Sequence, residues 1–280
     1  MQNQPSVTAC LTAYNAASFI ESTLEALCRQ TWKNITILIA EDASDDNTLE
    51  VIQRVMQTCP HEYHVFSQSE RLGWVGNTNF LFDKLNSDYF FMCYHDDLLE
   101  PDYIERLLTA IPDDADVVGS YADFDVTTEA GKTLMRSYDE ICDETDPVER
   151  GLSVIGRNGN PAIANRGIYR TSVLKTTGGL RENLAGDFAA AYPWVLGLAL
   201  EGRFVRVPKV LCHKFKLSSG LSAQWEFSHR NFLAMQIDMY ETIWLSSLED
   251  EQKAVLMLEV SKMCISIVDS ASYNGAGNHR

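Results

Sequence analysis

Several features are missing from this chain, and each absence closes a route. The seven cysteines stand singly with no CxxC pair, so a zinc site has no framework. Scattered through apolar runs, they read as reduced core thiols of a cytoplasmic protein. Positive charge is scarce: 23 Lys and Arg stand against 39 Asp and Glu, a net charge of −16. Such a surface repels phosphate backbones and excludes general nucleic-acid binding, and an anionic nucleotide would need a metal or local basic residues. No apolar run reaches the ~20 residues that span a bilayer, and the N-terminus lacks a signal-peptide pattern. The expected location is therefore the cytoplasm, at most peripheral at the inner membrane face. The first strand is not followed by GxGxxG, which disfavours an ordinary dinucleotide fold. There is no internal repeat and no low-complexity linker.

What is present is a chain of 280 residues, 45% of them hydrophobic, enough for one large domain or a domain with appendages. Its most informative stretch is Asp88 to Pro101, DYFFMCYHDDLLEP. Tyr89 to Tyr94 has the length and apolar character of a strand buried on both faces. His95, Asp96 and Asp97 follow, and Pro101 suits the first turn of the next helix. Two adjacent carboxylates thus end a core strand at the sheet edge where ligands bind in open α/β folds. Carboxylates placed there are costly unless solvated, paired or bound to a cation. A hard divalent ion joining them to a diphosphate accounts for the pair.

Val7 to Ala13 is expected as the first strand, and Ser18 with Glu21 has capping-box spacing for a helix from Phe19 to Gln30. Ile35 to Ala40 reads as a second core strand, followed by the polar loop Glu41 to Asn47 and a helix from Thr48 to Cys59. Tyr63 to Phe66, a Gly-containing loop from Arg71 to Gly76, and a helix through Leu85 lead to the Asp88 strand. This alternation predicts a parallel sheet with crossover helices. Beyond the helix at Pro101 to Ile111, Asp116 to Tyr121 reads as a strand, with a hairpin around Glu129–Gly131. Asp139 to Gly159 is acidic and reads as a mobile or substrate-facing loop, with Asp143, Glu144 and Asp146 solvated. Arg166 to Arg170 is expected as a short strand and Gly178–Gly179 as a turn. Asp187 is expected to open an apolar helix reaching Leu200. Phe204–Val207 and Val210–Phe215 read as two strands split by Pro208. Trp225 to Ser270 reads as a helical hairpin with stripes at Leu233, Ile237, Tyr240, Trp244 and at Leu256, Val260, Met263, Ile267. The tail from Tyr273 is expected to be disordered.

With these elements placed, Val7 to about Ser222 resembles the family 2 glycosyltransferases of the GT-A fold. The most specific likeness is QTWKNITILIAEDASDDNT, Gln30 to Thr48. RLGWVGNTN (Arg71 to Asn79), YHDDLLEPD (Tyr94 to Asp102), GGLRENLAGD (Gly178 to Asp187) and VPKVLCHKF (Val207 to Phe215) follow in the family's order. The chain departs from the pattern at Tyr94, where a typical member has Asp, at Gly186–Asp187, where paired acids are usual, and at Lys214, Lys216 and Leu217. The resemblance implies a 1–222 GT-A domain with a nucleotide-binding half (1–111) and an acceptor-side half (112–222), then a helical extension over 223–280. It further implies an inverting transfer of a sugar from a nucleotide diphosphate, by family frequency UDP, to a glycan or lipid-linked acceptor in cell-surface polysaccharide synthesis.

Site roles follow by position. Asp42 would contact the base or ribose, although a loop acid can also cap a helix. Thr12, Ala13 and Tyr14 would line the same pocket, with core packing the competing reading for Tyr14. Arg71 would bond the base or offset phosphate charge. Successive strand residues face opposite ways, but at a strand end the chain turns, so Asp96 and Asp97 would reach the ligand by different routes. The resemblance implies that one contacts the ribose side and the other holds Mg²⁺ or Mn²⁺. His95 reads as a neighbour, Trp74 as loop-core packing or a sugar platform, and Asn79 as a tie from helix to loop. Asp187 would be the general base at a helix N-terminus, where capping competes for the same oxygens. The terminal hairpin would be structural or a homodimer surface, with membrane or lipid-acceptor contact as the alternative. Two other functions fit less of the chain. A nucleotidyltransferase needs a Gly-rich basic loop where Tyr14–Ala17 stands. A non-catalytic nucleotide-sugar-binding scaffold draws its support from Tyr94.

Overall fold

The computed structural model describes residues 4–156, 161–216, 220–226 and 228–275. Strands β1 (Val7–Ala13), β2 (Ile35–Glu41), β3 (Glu62–Ser67) and β4 (Tyr89–Tyr94) alternate with helices α1 (Ile20–Cys28), α2 (Thr48–Met56) and α3 (Gly73–Phe82). β5 (Asp97–Leu99), α4 (Tyr103–Ala110), β6 (Val117–Thr128), β7 (Thr133–Arg136), α5 (Pro147–Ile155), β8 (Ile168–Arg170) and α6 (Leu174–Thr177) follow. The chain then runs through α7 (Ala191–Glu201), β9 (Arg203–Lys216), α8 (Leu221–Gln224), α9 (His229–Leu245) and α10 (Asp250–Gly275).

The sheet order is β3-β2-β1-β4-β8-β6-β9-β5, with β7 paired to β6. Pairing is parallel from β3 to β4 and between β6 and β9, and the antiparallel contacts are short. Parallel strands carry their helices on the faces and so bury both sides, which is why β1 and β2 read as unbroken apolar runs. α3 packs on β1 and β2, α4 on β6 and β9, and α7 lies between α5 and α9, with α10 closing over α5 and α9. All four N-terminal strand ends therefore open at one edge of the sheet.

The structure departs from the sequence-based expectations where distant groups act on local ones. No capping box forms on α1, whose first helical residue Ile20 and the preceding Phe19 donate their N–H groups to the Ala16 carbonyl. Glu21 instead holds Arg54 of α2 through two 2.8 Å bonds. The residues after Asp96 form β5 against β9, Asp97 opposite Lys214. β9 is one strand rather than two: Pro208 and Lys209 fall where the β6–β9 register shifts, so a bulge absorbs the missing N–H. Asp139–Gly159 is not a loop throughout. α5 starts at Pro147 with Asp146 accepting from Val148 N at 2.8 Å, an N-terminal signature legible in the residues.

On α9 the buried face carries Met235, Met239 and Ile243, whereas Ile237 and Trp244 of the expected stripe are 55% and 68% exposed. Leu256 and Val260 of α10 are buried as expected. α10 continues through Gly275, past the expected start of the tail; residues 276–280 and Leu217 lie outside the described residues.

Candidate active site

A cavity of about 510 Å³ opens at the shared strand edge, and Thr12, Ala13, Tyr14, Asp42, Arg71, Asp96 and Asp187 all line it. Residues more than a hundred positions apart thus meet because β1, β2 and β4 end side by side while the segment before α7 folds back over them.

Asp42 follows β2 and is 3% exposed. Its Oδ1 accepts from Leu72 N at 2.7 Å and its Oδ2 from Gly73 N at 3.0 Å. Burial pushes its carboxyl pKa up, and these two amides act against that shift. Asp42 therefore caps α3, not α2. The α2 start is served by Asp46, whose Oδ1 accepts from Thr48 N at 3.0 Å. α3 begins at Gly73 for this reason: the caps that make the expected loop helical arrive from elsewhere in the chain.

The next amide of the same turn, Trp74 N, donates to Asp187 Oδ2 at 2.6 Å. Asp187 opens a 3₁₀ turn, Asp187–Ala190, ahead of α7 and makes no cap bond to it. The helix N-terminus predicted beside this residue exists, but it belongs to α3. That end of the helix dipole favours the negative charge of both carboxylates. Gly73 is required here twice over: its φ is +75°, and a Cβ on it would lie 2.8 Å from Asp187 Oδ2. Asp187 lines the cavity, and among the described residues its Oδ1 has no hydrogen-bond partner.

Asp96 and Asp97 diverge. Asp96, its side chain 12% exposed, lines the cavity with Lys214 Nζ 3.5 Å from Oδ2. Asp97 begins β5, its side chain is 2% exposed, and it does not line the cavity. Arg166 grips Asp97 through Nε at 2.6 Å and Nη2 at 3.3 Å. The two side chains go to different places because Asp96 stands in the turn between β4 and β5 whereas Asp97 is the first residue of β5. Burial works against the Arg166 charge, but the Asp97 carboxylate together with Cys212 and Tyr94 outweighs it and raises the guanidinium pKa. Tyr94 lies under that guanidinium, 4.4 Å from its ring centre, and stacks on Trp74 at 6.1 Å. Burial raises its phenol pKa, so it stays neutral and serves as an apolar wall where an acid would be usual. Arg71 lies over the Tyr14 ring at 3.9 Å, and both line the cavity.

Asn79 ties α3 to the loop before Asp187, bonding Leu180 N and O at 2.8 Å each. Burial lowers the His95 imidazole pKa, and among the described residues its Nδ1 has no hydrogen-bond partner. Sequence reasoning gave no cavity role to Asn77, Asn165, Arg166, Phe188 or Tyr192. Asn165, Arg166 and Phe188 lie in short 3₁₀ turns that no local pattern announces, while Asn77 and Tyr192 lie inside helices whose cavity-facing side is set by non-local packing.

Among the described residues no three His, Cys, Asp or Glu side chains converge as a metal-holding group. Asp96 offers one hard carboxylate to the cavity. That donor set fits Mg²⁺ or Mn²⁺ taking its other ligands from phosphate oxygens and water, and does not fit a protein-only cage.

A family profile described as "Glycosyl transferase family 2" matches residues 8–176. An uncharacterized glycosyltransferase of Haemophilus influenzae is 28% identical over 133 residues, 47% of this chain and 41% of that protein. The putative glycosyltransferase EpsH of Bacillus subtilis is 30% identical over 132 residues, 46% of this chain and 37% of its own. The chain thus matches less than half the length of these curated relatives. Among solved structures, residues 1–349 of S. aureus TarS in complex with UDP superpose with TM-score 0.68 at 15% identity, covering 91% of this chain and 70% of that one. The mannosyltransferase PcManGT from Pyrobaculum calidifontis, with GDP-Man and Mn²⁺, gives TM-score 0.64 at 16% identity over 100% of this chain and 77% of its own. These likenesses show the GT-A fold.

Proposed function

The chain belongs to glycosyl transferase family 2, and from that premise we propose an inverting transfer of a sugar from a UDP-sugar to an acceptor hydroxyl. The observation that carries this reading is the convergence of Asp42, Asp96 and Asp187 on one cavity at the strand edge. The acceptor is a glycan or lipid-linked hydroxyl of cell-surface polysaccharide synthesis, in keeping with the E. coli chondroitin synthase that is 27% identical over 114 residues.

Residues 1–111 hold the nucleoside, with Thr12, Ala13 and Tyr14 as its bed and Asp42 beneath the base or ribose. Arg71 and Lys214 bring positive charge toward the diphosphate, which the acidic chain otherwise repels. Asp96 would hold Mg²⁺ or Mn²⁺, which when bound supplies charge neutralisation on the departing diphosphate. Asp97 acts at one remove, fixing Arg166 and through it the Tyr94 wall. Residues 112–222 carry the acceptor side. There Asp187, pinned by Oδ2, uses Oδ1 to take the proton of the attacking hydroxyl. α9 and α10 buttress that side, and exposed Ile237 and Trp244 support a homodimer surface on α9. No helix of the described residues is long and apolar enough to cross a membrane. The seven free cysteines suit the reducing cytoplasm, with the inner membrane face as the place of peripheral contact.

The test is nucleotide release from a panel of UDP-, GDP- and dTDP-sugars with Mg²⁺ or Mn²⁺, run on wild type and on Asp187→Asn. Wild type should turn over one donor class. Asp187→Asn should bind that donor normally and lose roughly 10²–10⁴ in rate. If donor affinity or thermal stability falls as sharply as the rate, Asp187 is a cap for α3 and the base lies elsewhere, Glu182 being the first to examine.

A further inference from the structure

Asn165 is 4% exposed, lines the cavity, and its buried side-chain Oδ1 has no hydrogen-bond partner among the described residues. A buried amide oxygen left unpaired is destabilising, so its retention in a wall of the site calls for a donor that the described residues do not supply.

The turn that carries Asn165 is rigid. It lies in the 3₁₀ segment Pro161–Arg166, where Gly167 N donates to Ala164 O at 3.0 Å. The hydroxyl of Tyr169 also donates to Ala164 O, and that of Tyr103 to Arg166 O. Ile163 and Ala164 on the same turn are fully buried. The backbone on either side of Asn165 is thus held in place, which fixes where its side chain leaves the turn.

Its place along the sheet edge narrows the ligand. β8 runs antiparallel to β4 with Phe91 opposite Ile168, so the residues just before β8 stand at the C-terminal end of β4. The order β2, β1, β4, β8 sets Asp42, then Thr12–Tyr14, then Asp96, then Asn165 across the edge, neighbouring strands being about 4.8 Å apart. On the proposed reading, which this inference rests on, the nucleoside occupies the β2–β1 end and the diphosphate lies by Asp96. One strand further on comes the transferred sugar.

We infer that Asn165 is the sugar-reading residue of the donor site, its Oδ1 accepting from a hydroxyl or an acetamido N–H of the transferred hexose. The nucleotide itself does not reach it. A site that presents an unpaired buried acceptor rejects a donor lacking the matching group far more strongly than an apolar pocket does.

The experiment compares wild type with Asn165→Leu and Asn165→Ala by calorimetric titration of UDP, UDP-glucose and UDP-N-acetylglucosamine, with thermal melts of each apoprotein. Leu removes the unpaired oxygen at similar size, so the melting temperature should hold or rise. UDP affinity should stay unchanged, while affinity for a UDP-sugar falls about tenfold. Loss confined to UDP-N-acetylglucosamine identifies the acetamido group as the donor, and loss with both sugars identifies a ring hydroxyl. Equal weakening of UDP and UDP-sugar, or no weakening of either sugar, overturns the inference. If wild type binds none of the three, the nucleotide-sugar reading has failed, and this inference falls with it.

Discussion

The two sides of the cavity are held by different means. On the nucleotide side Thr12–Tyr14, Asp42 and Asp96 are delivered by the ends of parallel strands whose ladders run the length of β1, β2 and β4. On the acceptor side Asp187 stands on a segment with no strand beneath it. That segment is hung from side chains: Asn79 bonds Leu180, Asn183 donates to Asp238 of α9, and Trp225 Nε1 donates to Ala185 O at 2.8 Å. The sides meet at one turn, where Leu72 and Gly73 hold Asp42 and Trp74 holds Asp187. Main-chain ladders make the first side stiff and locally specified, whereas the second depends on contacts that single substitutions can remove. The C-terminal helices are accordingly part of the site's support.

Gly73→Ala attacks the junction and should have the largest effect of the next three changes. The new Cβ would lie 2.8 Å from Asp187 Oδ2, so the carboxylate must move. Displacement on the order of an ångström costs up to about 10² in rate. The positive φ adds about 1–2 kcal/mol of destabilisation, readable as a lower melting temperature. A wild-type rate in this variant would show that the two sides are not joined at Gly73.

Asp42→Ala should weaken UDP binding about tenfold or more, since a hydrogen bond to a charged group contributes roughly 1.5–3 kcal/mol. It should also lower thermal stability through the lost α3 cap, by about 0.5–2 kcal/mol. Lower stability with unchanged UDP affinity would make Asp42 a cap alone and move the nucleotide contact elsewhere.

The smallest effect concerns His213, which pins Glu100 (Nε2, 3.0 Å) to Asp125 (Nδ1, 3.0 and 3.1 Å) across β9. Burial would lower its pKa, but bonds to the two carboxylates outweigh that and raise it. A raised folded pKa means the stabilisation is full below the unfolded value of about 6.5 and is lost as pH rises through the folded value. The melting-temperature gap between wild type and His213→Gln should therefore be wider at about pH 6 than at about pH 9. The group is partly exposed, so the gap is small. A gap independent of pH would mean that the imidazole is neutral and contributes packing only.

The same contrast explains what could be read from the residues. β1, β2 and β4 are apolar runs buried on both faces, and their ends placed Asp42 and Asp96 correctly at the edge. Asp187 was legible through GGLRENLAGD, yet its partner Trp74 N was not, because a backbone amide 113 residues away leaves no mark in sequence. Asp97 was expected beside Asp96. Its burial against Arg166 depends on β5, three residues whose pairing to β9 is wholly non-local. The face of α9 was misplaced because Trp244 and Ile237 are apolar yet outward, and hydrophobic spacing alone cannot tell a core stripe from an exposed one.

The central claim is that a nucleotide diphosphate binds across this edge with a cation held at Asp96. Calorimetric titration of UDP with and without Mn²⁺, into wild type and Asp96→Ala, tests it most directly. Saturable one-site binding that Mn²⁺ strengthens in wild type and not in Asp96→Ala is the predicted result. Absence of UDP binding to wild type, or a Mn²⁺ effect that survives in Asp96→Ala, would contradict it.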